Sequence, residues 1–287
     1  MKILNFGSIN KDYVYSVNKF VDPGETIKTN DFKEFLGGKG LNQSVAVSRS
    51  GSKIYHAGCI NRKDENIKKQ LSEWRVDTSN IYNVDEPTGH AIIQVNSYGE
   101  NSILIHGGAN LKITSKQIDQ TISKFGEDDI LIIQNEINKV PEIIDRAYYQ
   151  KMKIIFNPAP FSGEVLGYPF KKINTLIYNE FEGIGLSGKN KIQEIKMELL
   201  EKFPMVNHII TLGEKGSIYF NHKEEITVRA EKVNTVDTTA AGDTYVGYFI
   251  SSLTKKLGIK ECMEKATKAA GITTENVGGA ISIRSID

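Results

Sequence analysis

Short apolar runs recur along most of the chain and predict buried β-strands. These runs span residues 2–6, 53–58, 91–95, 102–106, 129–133, 153–157, 174–178 and 207–212. From residue 110 onward, helix-like segments separate the runs, at 114–125, 138–150, 189–203 and 258–272. Strands that alternate with helices through short connections predict an α/β fold, with a mostly parallel sheet and helices on both of its faces.

The first third of the chain has a different pattern, with polar alternation and turn signals. Strand-like segments occur at 12–20, 26–36, 88–96 and 101–106, with turns at 22–24 and 98–100. They predict two hairpins in a small antiparallel sheet, which would project as a lid formed by about 12–36 and 88–106. Such a lid has exposed strand edges, and a homodimer formed through the lid would cover them. The alternative is that the hairpins pack flat on the rest of a single domain spanning 1–287.

Composition narrows the class of protein without identifying it. The 287 residues carry a formal net charge of +1, with 39% hydrophobic and 25% charged residues, as is usual for a globular protein. This balance gives no general electrostatic case for nucleic acid or an anionic membrane as a partner. The chain shows no membrane-helix run and no secretory signal pattern, and Cys59 and Cys262 lack metal or redox spacing. We expect a cytoplasmic enzyme or binding protein with reduced cysteines.

Residues 234–249, NTVDTTAAGDTYVGYF, combine a small-residue turn with the start of an apolar helix. We expect this helix to begin near Gly242. The first N–H groups of a helix have no intrahelical acceptor, and the helix dipole places partial positive charge there. Because Ala240, Ala241 and Gly242 have almost no side chain, an anion such as phosphate could approach their backbone N–H groups closely.

Asp243 lies in the first turn of the same predicted helix. The helix dipole favours its ionised form, so it could accept a proton from a hydroxyl that attacks phosphorus. A tight strand-to-helix turn with Asp243 as an ordinary helix-start acid explains this motif, taken alone, equally well. The other glycine-rich segments match neither the phosphate loop GxxxxGK[ST] nor the dinucleotide pattern GxGxxG.

Two segments together resemble the signature regions of the ribokinase family of sugar and nucleoside kinases. They are GGKGLNQSVAVSRSG at 37–51 and DTTAAGDTYVGYF at 237–249, with GSINKD (7–12), NPAP (157–160), NEFE (179–182) and TLGEKG (211–216) in the family's order. The resemblance covers nearly the whole chain and implies a ribokinase-like fold, with a Rossmann-like sheet and a β lid.

This resemblance also implies an activity, the ATP-dependent phosphorylation of a sugar. The first acceptor to consider is the 5-hydroxyl of D-ribose, which would give D-ribose 5-phosphate. Fructose, deoxyribose or a nucleoside is the alternative acceptor. A non-catalytic sugar-binding regulator is the alternative class of protein, although such a protein would not need a base at Asp243.

The resemblance assigns residues to four roles. Asp243 is implied as the base, beside an anion hole made by the backbone N–H groups of Ala240, Ala241, Gly242 and Asp243 itself. The implied sugar contacts are Asn10, Asp12, Gly38, Lys39, Asn42, Glu136 and Asp243. The implied nucleotide contacts are Asn179, Thr211, Gly213, Gly216 and Gly242.

Two metal sites are implied as well. Mg²⁺ would be held through Asn179 and Glu182, partly by way of water. A monovalent cation, normally K⁺, would be held by Asp237 and by carbonyl oxygens such as those of Thr239 and Thr273, with Asn276, Gly278 and Ser282 from the C-terminal loop. A solvated lysine at Lys39 and an exposed turn carboxylate at Asp237 are the alternatives for those two residues.

Overall fold

The computed structural model describes residues 1–286, which form two sheets and eight α-helices. The strands are, in chain order, β1 (Ile3–Phe6), β2 (Asn10–Ser16), β3 (Asp31–Gly37), β4 (Ile54–Asn61), β5 (Val76–Val84), β6 (Gly89–Val95), β7 (Asn101–His106), β8 (Ile130–Gln134), β9 (Lys153–Asn157), β10 (Thr175–Asn179), β11 (Asn207–Thr211), β12 (Ser217–Phe220) and β13 (Glu225–Val228). The helices are α1 (Lys39–Arg49), α2 (Asn66–Glu73), α3 (Ser115–Ile122), α4 (Val140–Tyr149), α5 (Glu180–Ser187), α6 (Ile192–Lys202), α7 (Ala241–Thr254) and α8 (Ile259–Thr274).

The large sheet has nine strands in the order β13-β12-β11-β10-β9-β8-β1-β4-β5. Every neighbouring pair from β11 to β5 is parallel, and β12 and β13 add an antiparallel hairpin at one edge. The central strands are continuous apolar runs, such as ILIIQ in β8, because a parallel sheet between two helical layers is buried on both faces.

Two apolar clusters cover the two faces of the large sheet. Successive residues of a strand point to opposite faces, and in β1 Ile3 belongs to one cluster and Leu4 to the other. Helices α1, α2, α7 and α8 contribute to the first cluster, and α3 to α6 contribute to the second. The predicted α/β fold, a mostly parallel sheet with helices on both faces, is confirmed.

The small sheet, made of β2, β3, β6 and β7, has the order β3-β2-β6-β7. Its two hairpins are antiparallel, as predicted, and they join through a parallel pair of β2 and β6 that the turn signals did not indicate. The strands β2 and β3 are shorter than the segments 12–20 and 26–36. The apolar side chains Ile103, Leu104 and Ile105 on β7 are exposed.

Several elements were not predicted from the pattern, among them α1, α2, α5, β5 and the β12–β13 hairpin. Helix α1 buries Asn42, Gln43 and Ser44 beside its apolar residues, so its sequence lacks a clean amphipathic period. Both cysteines are free and buried, as expected. Within residues 1–286, none of the helices has the length and hydropathy needed to cross a membrane.

Candidate active site

Asp243 lies in the first turn of α7, which begins at Ala241, one residue before the predicted start. Ala240 precedes the helix in a left-handed conformation with φ of 63°, and Asp243 is 7% exposed. The N–H of Ala241 donates to the carbonyl oxygen of Thr238 at 3.2 Å, so this member of the predicted anion hole is engaged. The N–H groups of Gly242 and Asp243 belong to the first turn, which offers them no intrahelical acceptor.

Two amides from α1 hold the carboxyl group of Asp243. Asn42 Nδ2 donates to Oδ2 at 3.0 Å, and Gln43 Nε2 donates to Oδ1 at 3.0 Å. Asn42 had been assigned to the sugar, whereas Gln43 had no predicted role. The Oδ1 atom of Asn42 is buried and has no hydrogen-bond partner among the described residues, so this acceptor is unused in the structure.

The contact between α1 and α7 depends on a glycine one turn after Asp243. A Cβ atom at Gly247 would lie 2.4 Å from the Cβ of Ala46 and 2.9 Å from the carbonyl oxygen of Gln43. Both distances are far below van der Waals contact. The missing side chain therefore lets the two helices approach closely enough for the α1 amides to reach Asp243.

Lys39, the first residue of α1, lies among carboxyl groups. Burial lowers its pKa, but the negative charges of Asp243, Glu136 and Glu182 outweigh that effect and raise the pKa above its ordinary value. In turn, burial raises the pKa of Asp243, and Lys39 and the two α1 amides oppose this shift. Lys39 thus interacts electrostatically with three carboxyl groups while its side chain remains partly exposed.

The side chains predicted to bind the sugar come from the ends of several strands. Glu136 follows β8, and its Oε2 atom accepts from Ser8 Oγ at 2.5 Å and from the backbone N–H of Lys39 at 2.9 Å. Asn10 begins β2, and its Oδ1 atom accepts from Asn110 Nδ2 at 2.7 Å. Asn110 was missed as a site residue, although the motif GGAN that contains it was visible in the sequence.

Asp12 lies two residues further along β2, against the glycine turn. A Cβ atom at Gly37 would lie 2.0 Å from its Oδ2 atom, so a larger residue there would displace the Asp12 carboxyl group from this position. Burial, followed by the charges of Glu136 and Asp243, raises the pKa of Asp12 to about 7. The neighbouring Gly38 precedes α1 with φ of 91°, in the left-handed region that favours glycine.

A cleft of about 630 Å³ opens beside this cluster, and its lining does not include Asp12, Lys39 or Asp243. Asn10, Asn110 and Glu136 line one part of it, and the aromatic side chains of Phe161 and Tyr168 line another. Carboxylates and amides are suited to sugar hydroxyls because they accept or donate hydrogen bonds in fixed directions. The cleft therefore offers a polar subsite that continues into a more apolar one.

Asn179 and Glu182, the predicted Mg²⁺ residues, form a capping box at the start of α5. Asn179 Oδ1 accepts from the N–H of Glu182 at 2.9 Å, and Glu182 Oε2 accepts from the N–H of Asn179 at 2.8 Å. Burial raises the pKa of Glu182, and its charge is coupled to Lys39 and Asp243. The N-x-x-E spacing thus has a helix-capping role that the sequence interpretation did not consider.

The predicted nucleotide residues lie along the end of β11. Thr211 pairs with Asn179 in register, so the two candidate regions are adjacent at the same edge of the sheet. Gly213 and Gly216 both have a positive φ, of 57° and 97°. A Cβ at Gly216 would lie 2.0 Å from the carbonyl oxygen of Val228, so packing against β13 already requires this glycine.

Asp237 ties the turn before α7 to the segment after α8. Its Oδ1 accepts from the N–H and the hydroxyl of Thr239, at 2.9 and 2.6 Å, and its Oδ2 accepts from the N–H of Gly278 at 2.9 Å. Its own N–H donates to the carbonyl oxygen of Thr274 at 3.0 Å, a neighbour that had not been predicted. Asp237 therefore closes a local turn with Thr239, as an exposed turn carboxylate would, and in addition joins this turn to Gly278.

The other predicted K⁺ ligands near Gly278 in the sequence have side chains that form hydrogen bonds with residues other than Asp237. Asn276 donates to the carbonyl oxygen of Ile272 and accepts from Arg284, both at 3.3 Å. Ser282 donates to the carbonyl oxygen of Gly279 at 2.8 Å, and Thr273 donates to Thr244 at 3.1 Å.

The donor atoms suit hard cations rather than a closed protein metal centre. Within residues 1–286, no three His, Cys, Asp or Glu side chains converge as a metal-binding group. Glu182 offers one carboxylate near Lys39 and Asp243, which fits an ion held mainly by phosphate oxygens and water. Asp237 offers a carboxylate, and the carbonyl oxygen of Thr274 lies against its backbone N–H; oxygen atoms of these kinds fit a hard monovalent cation.

Known proteins are similar to this chain over its whole length. The family model described as pfkB family carbohydrate kinase matches residues 1–286. The ribokinase of Haemophilus influenzae is 32% identical over 96% of this chain and 93% of its own length. A bifunctional ribokinase/ribose-5-phosphate isomerase A of Fructilactobacillus sanfranciscensis is 34% identical over 98% of this chain, which spans 54% of that longer protein. The structure of Arabidopsis thaliana ribokinase complexed with ribose and ATP has a TM-score of 0.87 and 25% identity, covering 99% of this chain and 95% of that one.

Proposed function

The chain belongs to the pfkB family of carbohydrate kinases, and we propose that it transfers the γ-phosphoryl group of ATP to the 5-hydroxyl of D-ribose, giving D-ribose 5-phosphate and ADP. The observation that carries the proposal is the buried carboxyl of Asp243, which lies at the start of α7 with an amide donor on each oxygen. The relatives named ribokinase and the relative solved with ribose and ATP support this choice of acceptor and donor.

In this proposal the sugar occupies the polar part of the cleft. Asn10, Asp12, Glu136 and Asn42 bind its hydroxyls, together with Lys39 and the backbone at Gly38. Asp243 accepts the proton of the 5-hydroxyl as that oxygen attacks the γ-phosphorus. The first-turn N–H groups of α7 and the ammonium of Lys39 stabilise negative charge on the transferred group.

The nucleotide lies along the edge formed by Asn179, Thr211, Gly213, Gly216 and Gly242. Asn179 and Glu182 would hold Mg²⁺ partly through water, and the ion would neutralise charge on the phosphates. Asp237, with Thr239, Thr273, Asn276, Gly278 and Ser282, would hold a monovalent cation, K⁺, and its charge would support the anion hole of Ala240 to Asp243. Gly278 already contacts Asp237 through its N–H, whereas Asn276 and Ser282 have to contribute through other atoms or other rotamers.

The small sheet acts in this proposal as a lid over the sugar, and its exposed β7 side chains Ile103, Leu104 and Ile105 support dimerisation through it. We propose that the enzyme works in the cytoplasm. A nucleoside is the second candidate acceptor, because the cleft continues from Asn10 and Glu136 toward Phe161 and Tyr168, where a base has room. Fructose and deoxyribose remain alternatives within the same activity, and a non-catalytic regulator is the alternative of another class.

The proposal is tested by measuring ADP release with MgATP and ribose, deoxyribose, fructose or nucleosides, with and without K⁺. We expect ribose to give the highest kcat/KM and K⁺ to raise the rate. Asp237→Asn should remove the response to K⁺, whereas Asp77→Asn, which alters a similar aspartate turn to Ser79, should keep it. The proposal fails if ADP release does not depend on the sugar, or if another acceptor is preferred.

The raised pKa of Asp12 predicts a pH dependence of sugar use. An ionised carboxylate accepts hydrogen bonds from sugar hydroxyls better than a protonated one, and Asp12 loses its proton at about pH 7. We expect kcat/KM for the sugar to rise through pH 7 and to be about tenfold below its plateau at pH 6. Asp12→Asn should abolish this limb, whereas Glu34→Gln on the neighbouring strand β3 should retain it. An unchanged limb in Asp12→Asn would assign the titration to another group.

A further inference from the structure

Four buried amide side chains form a continuous hydrogen-bonded row that ends on Asp243. Asn5 comes from β1, Gln134 from β8, Asn157 from β9 and Gln43 from α1. The three strands are neighbours in the middle of the large sheet, and all four side chains are at most 8% exposed. None of the four has a role in the function proposed above.

The first part of the row has a fixed direction. Asn5 Nδ2 donates to the carbonyl oxygen of Gly40 at 2.7 Å, and a carbonyl oxygen can only accept. The Oδ1 of Asn5 must therefore be the acceptor on its other side, and it accepts from Gln134 Nε2 at 3.0 Å. The second hydrogen of Gln134 Nε2 goes to Gln43 Oε1 at 2.7 Å, so the Nε2 of Gln43 must point away.

The second part of the row fixes the same direction from the other side. Asn157 Nδ2 donates to the carbonyl oxygen of Ile177 at 2.8 Å, so its Oδ1 is an acceptor. Gln43 Nε2 donates one hydrogen to that Oδ1 at 3.1 Å and the other to Asp243 Oδ1 at 3.0 Å. Two backbone carbonyls thus determine which end of the Gln43 amide faces Asp243.

We propose that Gln43, held by Gln134 and Asn157, is a positioning residue that keeps the Asp243 carboxylate oriented and ionised for proton transfer. The proposal rests on the role of Asp243 as the base. Gln43 does not touch substrate in this role, because it is fully buried below Asp243. It acts by presenting a donor that cannot turn into an acceptor without breaking its bonds to Gln134 and Asn157.

The charged groups facing Asp243 explain why a fixed donor is needed. Burial and the carboxyl groups of Asp12, Glu136 and Glu182 disfavour a negative charge on Asp243. Lys39 and the two α1 amides favour it. Loss of one amide donor shifts this balance toward the protonated acid, which cannot accept the proton of the sugar.

A purely space-filling role does not account for the row. Gln134 leaves its Oε1 buried without a partner among the described residues, and a methionine would fill a similar volume without an unpaired polar atom. A buried oxygen without a partner destabilises the fold, so we attribute the presence of glutamine at this position to its amide nitrogen, which donates to Gln43.

The test measures kcat with saturating sugar and MgATP from pH 5 to 9 in Gln43→Met and Gln134→Met. We expect Gln43→Met to lower kcat about 10- to 100-fold at neutral pH, as for loss of a hydrogen bond to a charged group. The rise of kcat with pH on the acid side of the profile, its acid limb, should move to a pH about one unit higher. Activity should recover toward that of the unmodified chain at pH 9, with KM values changed less than about threefold. Gln134→Met should shift the limb in the same direction by less, since it acts one bond further away.

Thermal unfolding of each variant and one control variant, Thr121→Val, separate the outcomes. Thr121→Val removes a buried hydroxyl bonded to Tyr82, 3.1 Å away on the opposite face, and should lower stability without moving the acid limb. If Gln43→Met does not fold, two other variants provide the test. They are Gln134→Met and Gln43→Asn, which keeps an amide group on a shorter side chain. An acid limb that stays in place in these variants, or moves equally in Thr121→Val, overturns the proposal. Turnover retained in Asp243→Asn would instead overturn the assignment of the base.

Discussion

Asp243→Asn is expected to lower kcat with saturating ribose and MgATP by about 10²–10⁴-fold, the usual contribution of a positioned general base. The substitution keeps the size of the side chain but removes its charge and its capacity to take a proton. Asn42 and Gln43 would still find an oxygen for one of their two hydrogen bonds. We therefore expect the fold and the binding of sugar, measured by calorimetry, to change little.

The comparison with Asp12→Asn makes this expectation specific. Both residues are acids in the same cluster, but only Asp243 lies at the start of α7. Asp12→Asn should act mainly on KM for the sugar, whereas Asp243→Asn should act mainly on kcat. Near-normal kcat in Asp243→Asn would show that the base lies elsewhere or that the reaction needs none.

Gly247→Ala is expected to damage both stability and activity through the contact of α1 with α7. The added Cβ would meet Ala46 and the backbone of Val47 at 2.4 and 2.8 Å, so the helices must move apart. Overpacking of this kind costs about 1–3 kcal/mol in the free energy of unfolding. Because the same displacement moves Asn42 and Gln43 away from Asp243, kcat should fall as well. Urea unfolding and the ADP-release assay measure the two effects.

Gly271→Ala in α8 is the matched control for Gly247→Ala. It is also a helical glycine, but its Cβ would lie 3.4 Å from Val233 Cγ1, which is ordinary contact. Alanine favours a helix over glycine, so this variant should be as stable as the original chain or up to about 1 kcal/mol more stable. Equal stability of the two alanine variants would contradict the close-packing argument.

Six parallel strands of the large sheet, β1, β4 and β8 to β11, were predictable because each contains a run of apolar residues, whereas β5, β12 and β13 were not. Helix α1 was not, because its buried positions Asn42, Gln43 and Ser44 are polar for reasons that lie in other segments. The parallel join of β2 to β6 was hidden for a related reason, since turn signals describe hairpins and say nothing about how two hairpins meet.

Some residues of the candidate site could likewise be predicted from the sequence and others could not. Asp243 could be singled out because the small residues before it and the helix after it are neighbours in sequence. Gln43 could not be singled out, because its hydrogen-bond partner Asp243 is 200 positions away in the sequence. The spacing of Asn179 and Glu182 was visible but has a second explanation in helix capping, which spacing alone does not separate from ion binding.

Asn42 and Asp243, whose side chains meet in the site, are 201 positions apart along the chain. Ribosomes add about 5–20 residues per second, so Asp243 is synthesised about 10–40 s after Asn42, the residue of α1 that contacts it. The strands β8 to β11 join the large sheet in chain order during this interval, so the sheet can grow while the polypeptide is still being made. The face of α1 that packs on α7 stays uncovered until α7 emerges, which makes it a place where a nascent chain would need protection by a chaperone.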